Sequence, residues 1–166
     1  ACHFTGGGGD AVKHGDLDST MGAPAADLDV HMSPDSLNFT CATCHAGESH
    51  EIKGRIYTGE EAVMCADCHT GDMAPHADSE MGEALSKHAE TLACQTCHVP
   101  EFARGKATKM TWDWSNAGEK NEAGKPFQTK NDAGQIVYDS KKGTFTWEAN
   151  VTPYYTWWNG ETHYLT

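Results

Sequence analysis

A mostly irregular chain with short α-helices and one small C-terminal β-hairpin is what three features of this 166-residue sequence predict. The pentad C-x-x-C-H occurs three times, as Cys41-Ala42-Thr43-Cys44-His45, Cys65-Ala66-Asp67-Cys68-His69 and Cys94-Gln95-Thr96-Cys97-His98. Hydrophobic residues make up only 38% and mean hydropathy is -0.61, too little for a self-sufficient protein core. From Lys109 onward the character changes: all five tryptophans and four of the five tyrosines lie there, among turn signals and short β-branched runs.

The pentad carries its own chemistry. It is the attachment signature of haem c, in which two thiols add to the haem vinyls and the adjacent imidazole takes one axial position on iron. On one helical turn, positions i and i+3 set both sulfurs along one haem edge, and i+4 brings the histidine beneath the iron. Paired C-x-x-C elements also build zinc knuckles. Here, however, a histidine follows every pair directly, and the separations from Cys41 to Cys65 and from Cys65 to Cys94 are unequal and long. Ala1-Cys2-His3 reads as the end of a fourth pentad, held by a single thioether or completed by chain before residue 1; a free cysteine beside a chance histidine is the alternative. All seven cysteines are then used: Cys2, Cys41, Cys44, Cys65, Cys68, Cys94 and Cys97. Four haem c groups are expected in this stretch, and their stacked macrocycles would supply the missing apolar interior. The fold class is therefore that of a multihaem cytochrome c, and the haem-free chain is expected to be largely unfolded.

Along the chain, residues 4–40 read as a wrapping segment, because Gly6-Gly7-Gly8-Gly9 permits close approach to a flat cofactor and no helical or strand period follows. Residues 59–69 place Glu60 and Glu61 in the first turn of a short helix that delivers the second full pentad. A clearer helix is expected over 79–93, where Met81, Leu85, His88 and Leu92 recur on one face and turn His88 toward the buried side. Further on, turns at Asn131-Asp132-Ala133-Gly134 and Ser140-Lys141-Lys142-Gly143 flank Gln135-Ile136-Val137-Tyr138 and Thr144-Phe145-Thr146-Trp147, which predicts a β-hairpin followed by an aromatic tail. Residues 1–108 thus form a haem-binding region. Residues 109–166 form an aromatic-rich hairpin and tail expected to pack on haem faces, since five tryptophans are too many to leave wet.

Histidines outnumber the pentads. Of ten, His3, His45, His69 and His98 are proximal ligands, which leaves His14, His31, His50, His76, His88 and His163. Four low-spin irons need at most four distal ligands. His31, His50, His76 and His88 are expected to fill these places, with a structural or surface role the alternative for each, while His14 and His163 serve haems outside this stretch. His50 and His76 follow their pentads by only five and seven residues, too near to reach back onto an iron already held by His45 or His69, so both should cross to an adjacent haem.

The net charge of -12 is uneven: residues 1–100 carry 16 acidic and 4 basic side chains, residues 101–166 eight of each. Nucleic acid is excluded as a partner; redox partner proteins and further haem-bearing chain or subunits are expected, and a homo-oligomer is compatible. No transmembrane segment and no signal peptide are present in these residues. Haem c is attached after export, so the expected location is periplasmic or extracellular.

The stretch Cys2-His3-Phe4-Thr5-Gly6-Gly7-Gly8-Gly9-Asp10-Ala11-Val12-Lys13-His14-Gly15-Asp16-Leu17-Asp18 resembles the octahaem c-type cytochromes of the tetrathionate reductase family. The resemblance continues through Asp29-Val30-His31-Met32, Cys41 to His50, Cys97-His98-Val99-Pro100-Glu101-Phe102-Ala103-Arg104 and Thr111-Trp112-Asp113-Trp114-Ser115. Eight haems are expected of that family, against three full pentads and one half here. The resemblance implies a catalytic haem bound by histidine with lysine as its other ligand, reducing tetrathionate, nitrite or hydroxylamine. It implies that Lys13 is that lysine, Asp10 its active-site neighbour, and the haem at Cys2 and His3 the reactive one. From the residues alone, Lys13 equally reads as a surface charge paired with Asp10 or Asp16. Two functional classes follow: a haem-dependent oxidoreductase, and a pure electron conduit, either a soluble carrier or an extracellular cytochrome-wire subunit, in which every haem is six-coordinate.

Overall fold

The computed structural model describes residues 2–12, 16–49, 51–53, 62–71 and 75–157. Two 3-10 turns, Cys2–Thr5 and Ser19–Gly22, open the chain. They are followed by α1 (Cys41–Cys44), the two-residue strands β1 (Gly47–Glu48) and β2 (Glu51–Ile52), α2 (Cys65–Cys68), α3 (Gly82–Ala89) and α4 (Gln95–His98). The C-terminal part forms β3 (Thr108–Asp113), β4 (Gln128–Lys130), β5 (Ile136–Asp139) and β6 (Gly143–Glu148), an antiparallel sheet in the order β3-β6-β5-β4.

The expected hairpin is β5–β6, with Tyr138 opposite Thr144 and Asp139 opposite Gly143. Gly143 has φ +82, and a Cβ there would strike the Asp113 carbonyl oxygen, so this tight turn requires glycine. The hairpin is the centre of a larger sheet. β3 adds along β6, with Trp112 opposite Phe145, and β4 adds along β5, with Thr129 opposite Tyr138. A hydroxyl pair, Thr111 and Thr146 at 2.6 Å, ties β3 to β6, and the Trp147 indole N–H donates to the Ile136 carbonyl at 2.8 Å.

Long-range bonds fasten the sheet to the N-terminal part of the chain. Thr108 donates its hydroxyl to the Ala11 carbonyl at 2.9 Å, and Lys109 its backbone N–H to the same oxygen at 3.3 Å. Arg104 donates its backbone N–H to the Asp16 carboxylate at 2.6 Å and its guanidinium to the Asp27 carbonyl. Farther on, Phe102 and Val151 exchange two backbone hydrogen bonds of 2.9 Å. The Tyr155 hydroxyl then reaches the carbonyls of Gln95 and Val99, at 2.7 and 3.0 Å, which lays the tail over α4.

Two helices are shorter than their sequence periods suggest. α3 covers Gly82–Ala89 in place of 79–93, because Ser79 and Gly82 donate to the carbonyls of His76 and Ser79 in successive tight turns. The helix before the second full pentad shrinks to Cys65–Cys68, with residues 62–64 non-helical and 59–61 outside the described residues. Contrary to expectation, His88 is exposed on α3, and Met81 is exposed at its N-cap. Protein alone covers little: among the described residues the buried hydrophobic side chains are Ala11, Ala103, Tyr138 and Phe145, while Trp112, Trp114 and Trp157 are exposed.

Candidate haem-binding site

Each full pentad folds into the single turn its spacing requires. His45 and His69 donate their backbone N–H to the carbonyls of Cys41 and Cys65 at 2.8 Å, and His98 to that of Cys94 at 3.0 Å. Local side chains close these turns from outside: the Thr43 hydroxyl accepts the Thr40 N–H at 3.1 Å, and the Asp67 carboxylate accepts the Met64 N–H at 2.7 Å. The cysteines of the three pentads are free thiols, exposed except for half-buried Cys44. The second and third full pentads lie close together: burial above all, and then its neighbour Cys94, push the Cys65 thiol up from its usual range.

Two pairs of imidazoles stand out. His76 faces His98 with ring centroids 6.0 Å apart and planes at 16°. His31 faces His69 at 6.1 Å with planes at 79°. One iron held between two imidazoles needs about 2 Å to each nitrogen and about 1 Å more to each ring centre, a total of about 6 Å. Both separations meet that requirement, and in each pair one histidine ends a pentad while the other comes from a different part of the chain. By contrast, among the described residues no group of three or more His, Cys, Asp or Glu side chains is placed to hold a metal ion, as a zinc knuckle would demand.

The backbone around these histidines fixes their positions. His76 adopts φ +68, the left-handed region that β-carbon residues avoid, at a cost of about 1 kcal/mol. Its carbonyl accepts the Ser79 N–H at 3.0 Å and packs so closely on the start of α3 that a Cβ at Gly82 would sit 2.5 Å from it. His76 Nδ1 is buried and has no hydrogen-bond partner among the described residues. His31 is set by Asp29, whose carboxylate accepts the backbone N–H of both His31 and Met32 at 2.9 Å, and by Phe39, which stacks on its ring at 6.1 Å. His45 donates Nδ1–H to the Lys53 carbonyl at 3.1 Å, which leaves its Nε2 lone pair free for a metal.

The remaining expected ligands fall apart from these pairs. His3 is exposed in the first 3-10 turn. Lys13, His14, His50 and His163 lie outside the described residues, as does the side chain of Cys2. Asp10 is engaged elsewhere: its carboxylate accepts Lys106 Nζ at 2.5 Å, the Ser19 hydroxyl at 2.5 Å and the Ser19 N–H at 2.8 Å. The Lys106 hydrogen bond, followed by that of Ser19, lowers its pKa to about 2. Sequence reasoning missed Lys106 as the partner of Asp10, because 96 residues separate the two and no local pattern links them.

A family model described as bacterial cytochrome c matches residues 109–166. The crystal structure of octahaem cytochrome c from Shewanella oneidensis is similar to this chain, with a TM-score of 0.71 and 43% sequence identity over 87% of this chain and 32% of that one. The chain thus spans about a third of the length of that solved relative. No curated protein matches. The two matches support haem c as the cofactor and a multihaem cytochrome fold. Among the described residues no helix is long and apolar enough to cross a membrane.

Proposed function

We propose that the chain is the haem-binding part of an octahaem reductase of small sulfur and nitrogen oxyanions, such as tetrathionate and nitrite, and of the neutral hydroxylamine. The observation that carries the haem reading is the pair of imidazole couples, His76 with His98 and His31 with His69, each spaced to hold one iron. Haem c, when bound, supplies reversible one-electron transfer at iron. The chain's own contribution is positional. The six thiols of the full pentads would hold three haems, with His45, His69 and His98 as one ligand to each, and His31 and His76 would serve as second ligands to the haems of His69 and His98. His50 and His88 are distal ligands to neighbouring haems, and His14 and His163 serve haems outside this stretch. A fourth haem would be held through Cys2 and His3, with Lys13 as its displaceable ligand; ligation would require the neutral amine, the form that burial favours. Asp10, fixed by Lys106 and Ser19, is a positioning residue that holds the loop leading to Lys13. Such a protein works in the periplasm or outside the cell and meets redox partner proteins through its acidic surface.

A conduit reading, in which all haems are six-coordinate, is favoured by the same two couples, since an iron closed by two imidazoles offers substrate no place. Replacing Lys13 by Leu in the haem-loaded protein separates the readings. The reductase requires a changed spin state at one haem and lost oxyanion reduction. Unaltered spectra with unaltered electron transfer would leave the conduit.

A further inference from the structure

A cavity of about 580 Å³ opens where the loop of residues 8–12 meets the sheet, and Lys109 lies in its wall. This lysine is only 8% exposed, which is rare for an ammonium that lacks a counter-charge. Its Nζ sits 3.8 Å from the centroid of the Phe145 ring and 5.2 Å from that of Trp147. Aromatic faces offset part of the desolvation cost but do not neutralise the charge.

The carboxylates in the cavity wall are committed to other groups. Asp10 holds Lys106 and Ser19. Asp139 accepts the Lys141 backbone N–H at 2.7 Å and the Gln128 amide at 2.6 Å. Among the described residues Lys109 Nζ therefore has neither a hydrogen-bond acceptor nor a carboxylate in ion-pair contact, Asp139 acting on it only from a distance, and Lys142 adds a further cation on the exposed rim of the same cavity. Burial first, and then the charge of Lys142, lower the Lys109 pKa against the opposing pull of Asp139, the direction expected of an ammonium waiting for an anion.

We propose that this cavity is an anion site in which Lys109 binds the oxygens of a small sulfur or nitrogen oxyanion or of a haem propionate carboxylate, with the Phe145 and Trp147 rings as its apolar wall. The two ligands share one chemistry, a delocalised negative charge on oxygen, and the volume admits either. The proposal extends the reductase reading by naming where the anion is held. The binding it claims is measured without turnover, so its failure and that of the reading are told apart.

The test uses the haem-loaded chain, with sulfate as an inert oxyanion probe in calorimetry and a spectroelectrochemical titration of the haems. For a free oxyanion, the wild type binds sulfate and Lys109→Met weakens it at least about tenfold, the loss of one charge-assisted hydrogen bond, while Lys109→Arg retains it. For a haem carboxylate, sulfate does not bind, yet Lys109→Met shifts one haem to lower potential and Lys109→Arg does not, because a nearby positive charge favours the reduced state. Should Lys109→Met fail to load its haems, Lys142→Met on the rim is read in its place, with the same two directions at about two- to threefold in sulfate affinity. Equal sulfate affinity together with unchanged potentials in the variant that loads its haems overturns the proposal, as does the absence of sulfate binding with unchanged potentials.

Discussion

His98 and His69 occupy equivalent places in their pentads, yet their partners meet them differently: the His76 ring is nearly parallel to His98, at 16°, and the His31 ring nearly perpendicular to His69, at 79°. On the proposed ligation this angle governs the iron's d orbitals. Parallel imidazoles raise the same dπ orbital and split the pair widely, whereas perpendicular imidazoles raise both alike and leave them nearly degenerate. Electron paramagnetic resonance of the oxidised, haem-loaded chain should therefore show an ordinary rhombic low-spin species from His76/His98 and a strongly anisotropic one, with the larger maximum g, from His31/His69. Replacing His31 by Met should remove the second signal and spare the first; survival of the anisotropic signal would break the assignment. Asp29 supports the same site by accepting two backbone N–H groups, and Asp29→Ala should cost about 1 kcal/mol of local order.

α3 and the loop before it show how short elements set the position of His76, a proposed ligand. His76 keeps its left-handed backbone because the next turn closes on its carbonyl and Gly82 leaves space there, so Gly82→Val must move one or the other. Its expected effect is that of His76→Ala, namely loss of one bis-histidine spectrum with the thioether count unchanged; an intact spectrum would show that the loop tolerates the β-carbon. The Asp10–Lys106 tie between the glycine loop and the approach to β3 carries a pH signature. Asp10 titrates at about 2 instead of 3.8, so the contribution is complete above the ordinary carboxylate range and is lost as pH falls through about 2. Lys106 is shifted upward by the same partner, so its contribution is complete below the usual lysine range and lost only in strong alkali. Acid unfolding followed by the Soret band should show Asp10→Asn less stable than wild type above pH 4, with the gap closing toward pH 2. A gap that persists at pH 2 would assign the effect to something other than this pair.

At the scale of the whole molecule, the interior is mostly absent from the protein itself, with a few buried apolar side chains among the described residues and tryptophans such as Trp157 left 83% exposed. This explains what the sequence made legible. The pentad turns are visible because their bonds are local, from His45 to Cys41 and from His69 to Cys65, and the β5–β6 hairpin is visible through its 140–143 turn. β4 was hidden because Gln128, Thr129 and Lys130 are all exposed and carry no alternation, and β3 because its start is anchored on Ala11, 97 residues away. The expected burial of His88 failed because the helical period marks one face without saying whether protein or cofactor covers it. On the proposed ligation, His31 and His76 each complete an iron already bound by a pentad histidine. Near-infrared magnetic circular dichroism of the haem-loaded chain, quantified per chain, tests it most directly, because the ferric charge-transfer band reports axial ligation. Bis-histidine iron should fall by one in His31→Ala, by one in His76→Ala and by two in the double variant, with every haem still covalently attached; an undiminished bis-histidine signal in the double variant would refute this ligation.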